Sequence, residues 1–200
     1  TKKERREAEK LIKQAETAFN QKNYQAAVRG YAAGLAIVPA NPDAHYDKGR
    51  AHFNLGEFDQ AAKEFSLALQ QGKKPQQAVL ILRWDAYDKL KRYDDALADV
   101  KAILASDPQN QRLQLAAARL NYEKGDFAAA AAAYTAALPS AQNQADIYYY
   151  IAEAKSRMGD IDGQAEAAQQ AINRSTPFLA DALTLLGRAR YAQNRIPEAI

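Results

Sequence analysis

Residues 56–69 read GEFDQAAKEFSLAL: a glycine, an aromatic, two residues of any kind, then Ala, with apolar residues continuing at helical spacing to Leu69. The same phrase, an aromatic or Ile, two residues of any kind, then usually Ala, begins at Tyr24, Phe58, Tyr93, Phe127, Ile161 and Ile196. The steps between copies are 34, 35, 34, 34 and 35 residues. A sustained period in this range marks an array of supersecondary units, each too small to bury its apolar face alone. Arrays of this kind hold partners more often than they perform chemistry.

Working outward, the apolar spacing within each period is helical. Leu11, Ala15 and Ala18 recur at three and four residues and form one helix face. Asn20 to Asn23 supply a polar turn, and Tyr24, Ala27, Val28, Tyr31 and Leu35 begin a second face that Pro39, Asn41 and Pro42 stop. Every unit is thus predicted to be helix, tight turn, helix. Gly56, Gly125 and Gly159 fall at that turn, where a left-handed residue costs least. Small residues share one place in the first helix (Ala15, Gly49, Ala118, Ala152, Gly187) and one in the second (Ala27, Ala61, Ala96, Ala130, Ala199). A short side chain lets two helix axes approach, and a neighbouring aromatic fills the space above it.

This constellation resembles the tetratricopeptide repeat (TPR), over about residues 8 to 200. The resemblance implies an all-α fold, a right-handed α-solenoid of stacked helix-turn-helix TPR units. It divides the chain into a charged lead-in at 1–7 and TPR units at 8–41, 42–76, 77–110, 111–144, 145–178 and a truncated sixth at 179–200. Three positions depart from the pattern or end it. Trp84 stands where a small residue is expected, so the third unit must open locally or place the indole differently. Gln164 replaces the second-helix Ala and marks the fifth unit as the loosest. The sixth copy stops about one turn into its second helix, which points to a segment of a longer array or to end-to-end contacts.

The resemblance implies that the first helices line the concave side and form a groove for a peptide or protein partner. Three rows of residues point there. Ile12, Tyr46, Ile81, Leu115, Tyr149 and Thr184 form the first, and Glu16, Arg50, Asp85, Arg119, Glu153 and Arg188 the second. The third is Phe19, Phe53, Asp88, Tyr122, Ser156 and Tyr191. The second row alternates acid and base, either as a ladder of inter-repeat ion pairs or as charges that orient a bound peptide. The partner-contact residues expected from these rows are Tyr46, Arg50, Phe53, Asp85, Leu115, Arg119, Tyr122, Tyr149, Glu153 and Arg188. Of the consecutive Tyr148, Tyr149 and Tyr150, the second is expected in the groove and the first between helices. A known subclass clamps a chaperone's C-terminal carboxylate with Lys, Asn and Arg. The matching places here hold Ile12, Glu16, Asp47, Ala78 and Leu82, two of them acids, so binding of that kind is not expected.

The charge balance supports the same class. Twenty-seven basic and 24 acidic residues leave a formal net charge of +3, spread along the chain without the basic stripe a nucleic-acid binder needs. The N-terminal cluster of Lys2, Lys3, Arg5, Arg6 and Lys10 is interrupted by Glu4, Glu7 and Glu9. No cysteine is present, which excludes disulfides and thiolate chemistry. No apolar run approaches the ~20 residues that span a bilayer. His45 and His52 lie roughly 10 Å apart along one helix, too far to share a metal. No phosphate loop, HExxH or nucleophile elbow occurs. The expectation is a scaffold that is not an enzyme and has no cofactor or metal. A self-associating assembly module, forming homo-oligomers through array ends, is the alternative, as is a recruiting arm of a larger enzyme or envelope complex. Ala-rich helices and the lack of Cys point towards a bacterial source and leave cytoplasm and periplasm open.

Overall fold

The computed structural model describes residues 1–194. Among them are eleven α-helices, one 3-10 turn at Leu138–Ser140 and no strand. The helices are α1 Lys2–Asn20, α2 Tyr24–Ile37, α3 Pro42–Asn54, α4 Phe58–Gln70, α5 Gln76–Lys89 and α6 Tyr93–Leu104. They continue with α7 Gln111–Lys124, α8 Phe127–Ala137, α9 Gln144–Met158, α10 Ile161–Asn173 and α11 Leu179–Ala192. The phrase at Ile196, and the helix expected to break off there, lie outside the described residues. The chain forms two compact units, Thr1–Ile103 and the part from Leu104 onward, divided at the end of α6.

Local chemistry explains where the helices start and stop. Asn23, Asn41, Asn110, Asp126 and Asp160 cap α2, α3, α7, α8 and α10, each accepting from a backbone N–H at 3.0–3.2 Å. Pro42 sits in the first turn of α3, where its missing N–H would have been unpaired anyway. One residue of positive φ follows each of α1, α3, α5, α7, α9 and α11. These are Lys22, Gly56, Lys91, Gly125, Gly159 and Asn194, so the left-handed position recurs with the period of the sequence.

In unit one, Ala15, Ala27, Tyr31, Ala44 and Ala51 form one buried cluster, and Ala61, Phe65, Ala68, Val79 and Ala86 another. The expected close approach is present. A methyl added at Gly30 would lie 2.8 Å from the Ala15 side chain, and one at Gly49 would lie 2.7 Å from the Phe65 ring. Rings also pair edge-to-face across the turn, Phe19 with Tyr24 at 5.3 Å and Phe53 with Phe58 at 5.2 Å. Arg83 reaches from α5 to Asp99 of α6 with two hydrogen bonds (2.9 and 2.5 Å), and its third nitrogen donates to Ser66. Trp84 leaves α5 continuous. The helix absorbs the large side chain half-buried, with its indole N–H buried and unpaired.

Unit two has one buried cluster running from Ala118 through Tyr134, Ile147 and Tyr149 to Ala168, Leu185 and Leu186. Tyr122 repeats the edge-to-face pairing with Phe127 at 5.2 Å. Gln164 is not left in a gap. Its side chain is buried, and Nε2 donates to the Leu185 carbonyl of α11 at 2.7 Å.

Candidate functional site

The first-helix residues of unit one are engaged with one another. Tyr46, Arg50 and Phe53 share α3. The Arg50 guanidinium lies 4.6 Å over the Phe19 ring and 5.6 Å over Tyr46, and it pairs with Asp47 at 2.9 Å. Lys73 also sits over Tyr46, at 5.3 Å, while bonding Asp43 at 2.5 Å. Cation–π contacts of this kind satisfy the cation and cover the ring together. Phe53 spends its edge on Phe58. Asp85 is half-buried on α5.

Unit two instead opens a cavity of about 690 Å³. One wall is α7, which contributes Gln111, Arg112, Leu115, Arg119, Tyr122 and Glu123. The facing wall is α9, with Asp146, Ile147, Tyr150 and Glu153, and Gln142 and Asn143 close one edge. Tyr134 of α8 forms the floor, stacked on Tyr150 with centroids 5.5 Å apart. The volume is that of a typical ligand pocket, and the mixture of apolar wall and few polar groups is the usual one.

Four of the residues expected from the sequence meet in this cavity: Leu115, Arg119, Tyr122 and Glu153. Tyr149 does not line it. Only 9% exposed, Tyr149 stacks on Phe178 at 4.7 Å and meets Tyr150 at 5.3 Å. Its hydroxyl donates to Glu153. The cavity wall is therefore Tyr150, while Tyr148 carries Arg174 over its ring at 4.6 Å. Arg188 is exposed on α11, outside the cavity. Burial pushes the Tyr134, Tyr149 and Tyr150 hydroxyls up from their ordinary value, and the Glu153 charge adds to the shift in all three. All three phenols are neutral at physiological pH.

Sequence reasoning missed Arg112, Glu123, Tyr134, Asp146, Ile147 and Tyr150. One signal was available. Arg112 and Asp146 stand one period apart, as do Arg119 and Glu153, so a base on α7 is matched by an acid on α9 twice. The two histidines are structural. His45 Nδ1 lies 2.6 Å from Glu64 and Nε2 lies 3.1 Å from the Pro39 carbonyl, while His52 meets Glu57 at 2.6 Å. Among the described residues, no group of three metal-ligating side chains is present, and no helix is long and apolar enough to cross a membrane.

Two protein-family models, each described as tetratricopeptide repeat, match residues 18–82 and 83–145. The chain belongs to the tetratricopeptide repeat family. Solved TPR structures agree with the all-α solenoid fold class. One is YrrB, described as a TPR protein with an unusual peptide-binding site, at 16% identity and a TM-score of 0.68, with 92% of this chain and 90% of that one aligned. Another is the C-terminal part of a TPR repeat-containing protein from Cytophaga hutchinsonii, at 16% identity, TM-score 0.67, and 92% and 72% coverage. A chain of Naa15/Naa10 bound to HypK-THB aligns at 16% identity and TM-score 0.80, over 96% of this TPR protein and 30% of that chain. Likeness at these identities speaks for the fold. Membership of the family places the chain among protein-interaction scaffolds, whose partners are proteins or peptides.

Proposed function

We propose that this TPR protein is a non-catalytic scaffold that holds a peptide segment of a partner against its first helices, anchored in the unit-two cavity. The observation that carries this reading is the cavity itself, with Leu115, Ile147 and three tyrosines for apolar side chains and charges of both signs at its rim. The apolar walls supply affinity, and the rim charges supply register and specificity. In this scheme Leu115, Arg119, Tyr122 and Glu153 touch the partner directly. Tyr149 holds Glu153 from behind. Tyr46, Arg50, Phe53, Asp85 and Arg188 stand outside the cavity and take no part in this contact. The peptide-binding site named for YrrB, to which the chain is similar, supports the same reading.

A display selection of random peptides on the wild-type protein, followed by binding to Leu115→Asp, tests it. Selected peptides should lose at least roughly tenfold in affinity for the variant, with its circular dichroism unchanged. Peptides that bind both proteins equally would place the site elsewhere.

A further inference from the structure

Of the five charged residues lining the cavity, three are already engaged. Asp146 accepts from Asn143 Nδ2 at 2.7 Å and from Thr176 Oγ1 at 3.3 Å, and Glu153 accepts from Tyr149. Arg119 has a partner as well. Arg112 and Glu123 have no ion pair or hydrogen bond among the described residues. They stand near opposite ends of α7, which runs Gln111–Lys124.

Their placement is also the reverse of what helix stability favours. A helix N-terminus attracts acids and its C-terminus attracts bases. The first helices α9 and α11 follow that rule, with Asp146 and Asp181 in their first turns and Lys155, Arg157 and Arg190 in their last. In α7 the base Arg112 is in the first turn, and the last turn holds the acid Glu123 beside the base Lys124. The helix gains nothing from either charge where it stands, and both line the cavity.

We propose that this cavity selects for charge polarity. Its occupant is an extended peptide segment with a carboxylate against Arg112, an apolar or aromatic side chain between Leu115, Tyr122 and Tyr150, and a basic group against Glu123. The two free charges are separated by three turns of α7, roughly 16 Å along the axis. An extended chain covers that span in about five residues. The complementarity is of charge as well as length, because a segment with the same sign at both ends would face one like charge. This inference rests on the peptide-scaffold reading and specifies what the cavity takes.

The test uses the capped pentapeptide Glu-Leu-Phe-Leu-Lys, an acid-only form with Gln for Lys, and a base-only form with Gln for Glu. Each is titrated into isotopically labelled protein and followed by chemical shift. Arg112→Gln should weaken the doubly charged and acid-only peptides roughly threefold to tenfold and leave the base-only peptide unchanged. Glu123→Gln should do the converse. Equal weakening of all three peptides by either variant, or no weakening by both, overturns the proposal. If none of the three binds while display-selected peptides still depend on Leu115, the polarity proposal fails and the scaffold reading stands. If the selection also yields no peptide dependent on Leu115, both fall.

Discussion

Two places in the molecule carry the same register and use it in opposite ways. Phe19, Tyr46 and Arg50 in unit one correspond, three repeats on, to Tyr122, Tyr149 and Glu153 in unit two. In unit one the charged residue is a cation, and it lies on the ring faces of its two aromatic neighbours. In unit two it is an anion, which the negative face of a ring repels. Glu153 takes the Tyr149 hydroxyl instead, and Tyr149 stacks away on Phe178. The cation closes its surface, whereas the carboxylate stands at the rim of an open cavity. Between these two repeats the cation lies over its rings, and the anion leaves space beside them.

The largest expected effect comes from the tyrosines of this pair. Tyr149→Ala removes a buried, stacked ring and should destabilise unit two by about 3–4 kcal/mol, against about 1–2 kcal/mol for half-buried Tyr46→Ala in unit one. Urea denaturation followed by circular dichroism measures both, and equal losses would erase the contrast. Next, Glu153→Arg should bring a cation onto the rings of unit two and fill the cavity rim. Cavity-dependent peptides should then bind at least roughly tenfold more weakly, while Arg50→Glu leaves their affinity unaltered.

High pH should separate the units as well. Tyr134, Tyr149 and Tyr150 are raised above the ordinary tyrosine value of 10.0, with burial the leading cause. A raised native value means that the neutral phenol stabilises the fold below about pH 10 and that this support is lost as pH climbs higher. In unit one Tyr31 is raised for the same leading reason. Tyrosinate absorbance should therefore show a delayed class, with alkaline unfolding starting in unit two. The smallest effect is at the turns. Lys91 holds a left-handed conformation that Gly125 holds at the matching place in unit two. Lys91→Gly should stabilise by about 0.5 kcal/mol and Gly125→Lys should destabilise by a similar amount, read as shifts in thermal midpoint.

The repeat, its small residues and its glycine turns were legible in the sequence because each rests on spacing along one chain. The cavity was not, because it depends on the rotational phase of α9. Neighbouring residues on a helix differ by ~100°, so a small phase error exchanges Tyr149 for Tyr150, and the groove residue turns out to be the buried one. Phe19, Phe53 and Tyr122, all expected to face a groove, each also spend an edge on the aromatic five residues later, across the turn, and Tyr122 lines the cavity as well. That five-residue spacing is visible in the sequence once the turn geometry is known. Tyr134 could not be placed from the first helices at all, since it rises from α8 between them.

The hydrogen bond from Gln164 to the Leu185 carbonyl has a consequence for how unit two comes apart. In a repeat array each interface acts as a coupling between nearest neighbours, and fraying normally proceeds one helix at a time. Lifting α11 away from α10 would expose the amide of a buried glutamine and strip a partner from a backbone carbonyl in one step. The two helices should therefore open as a single cooperative block, and slow amide exchange in α11 should track that of α10.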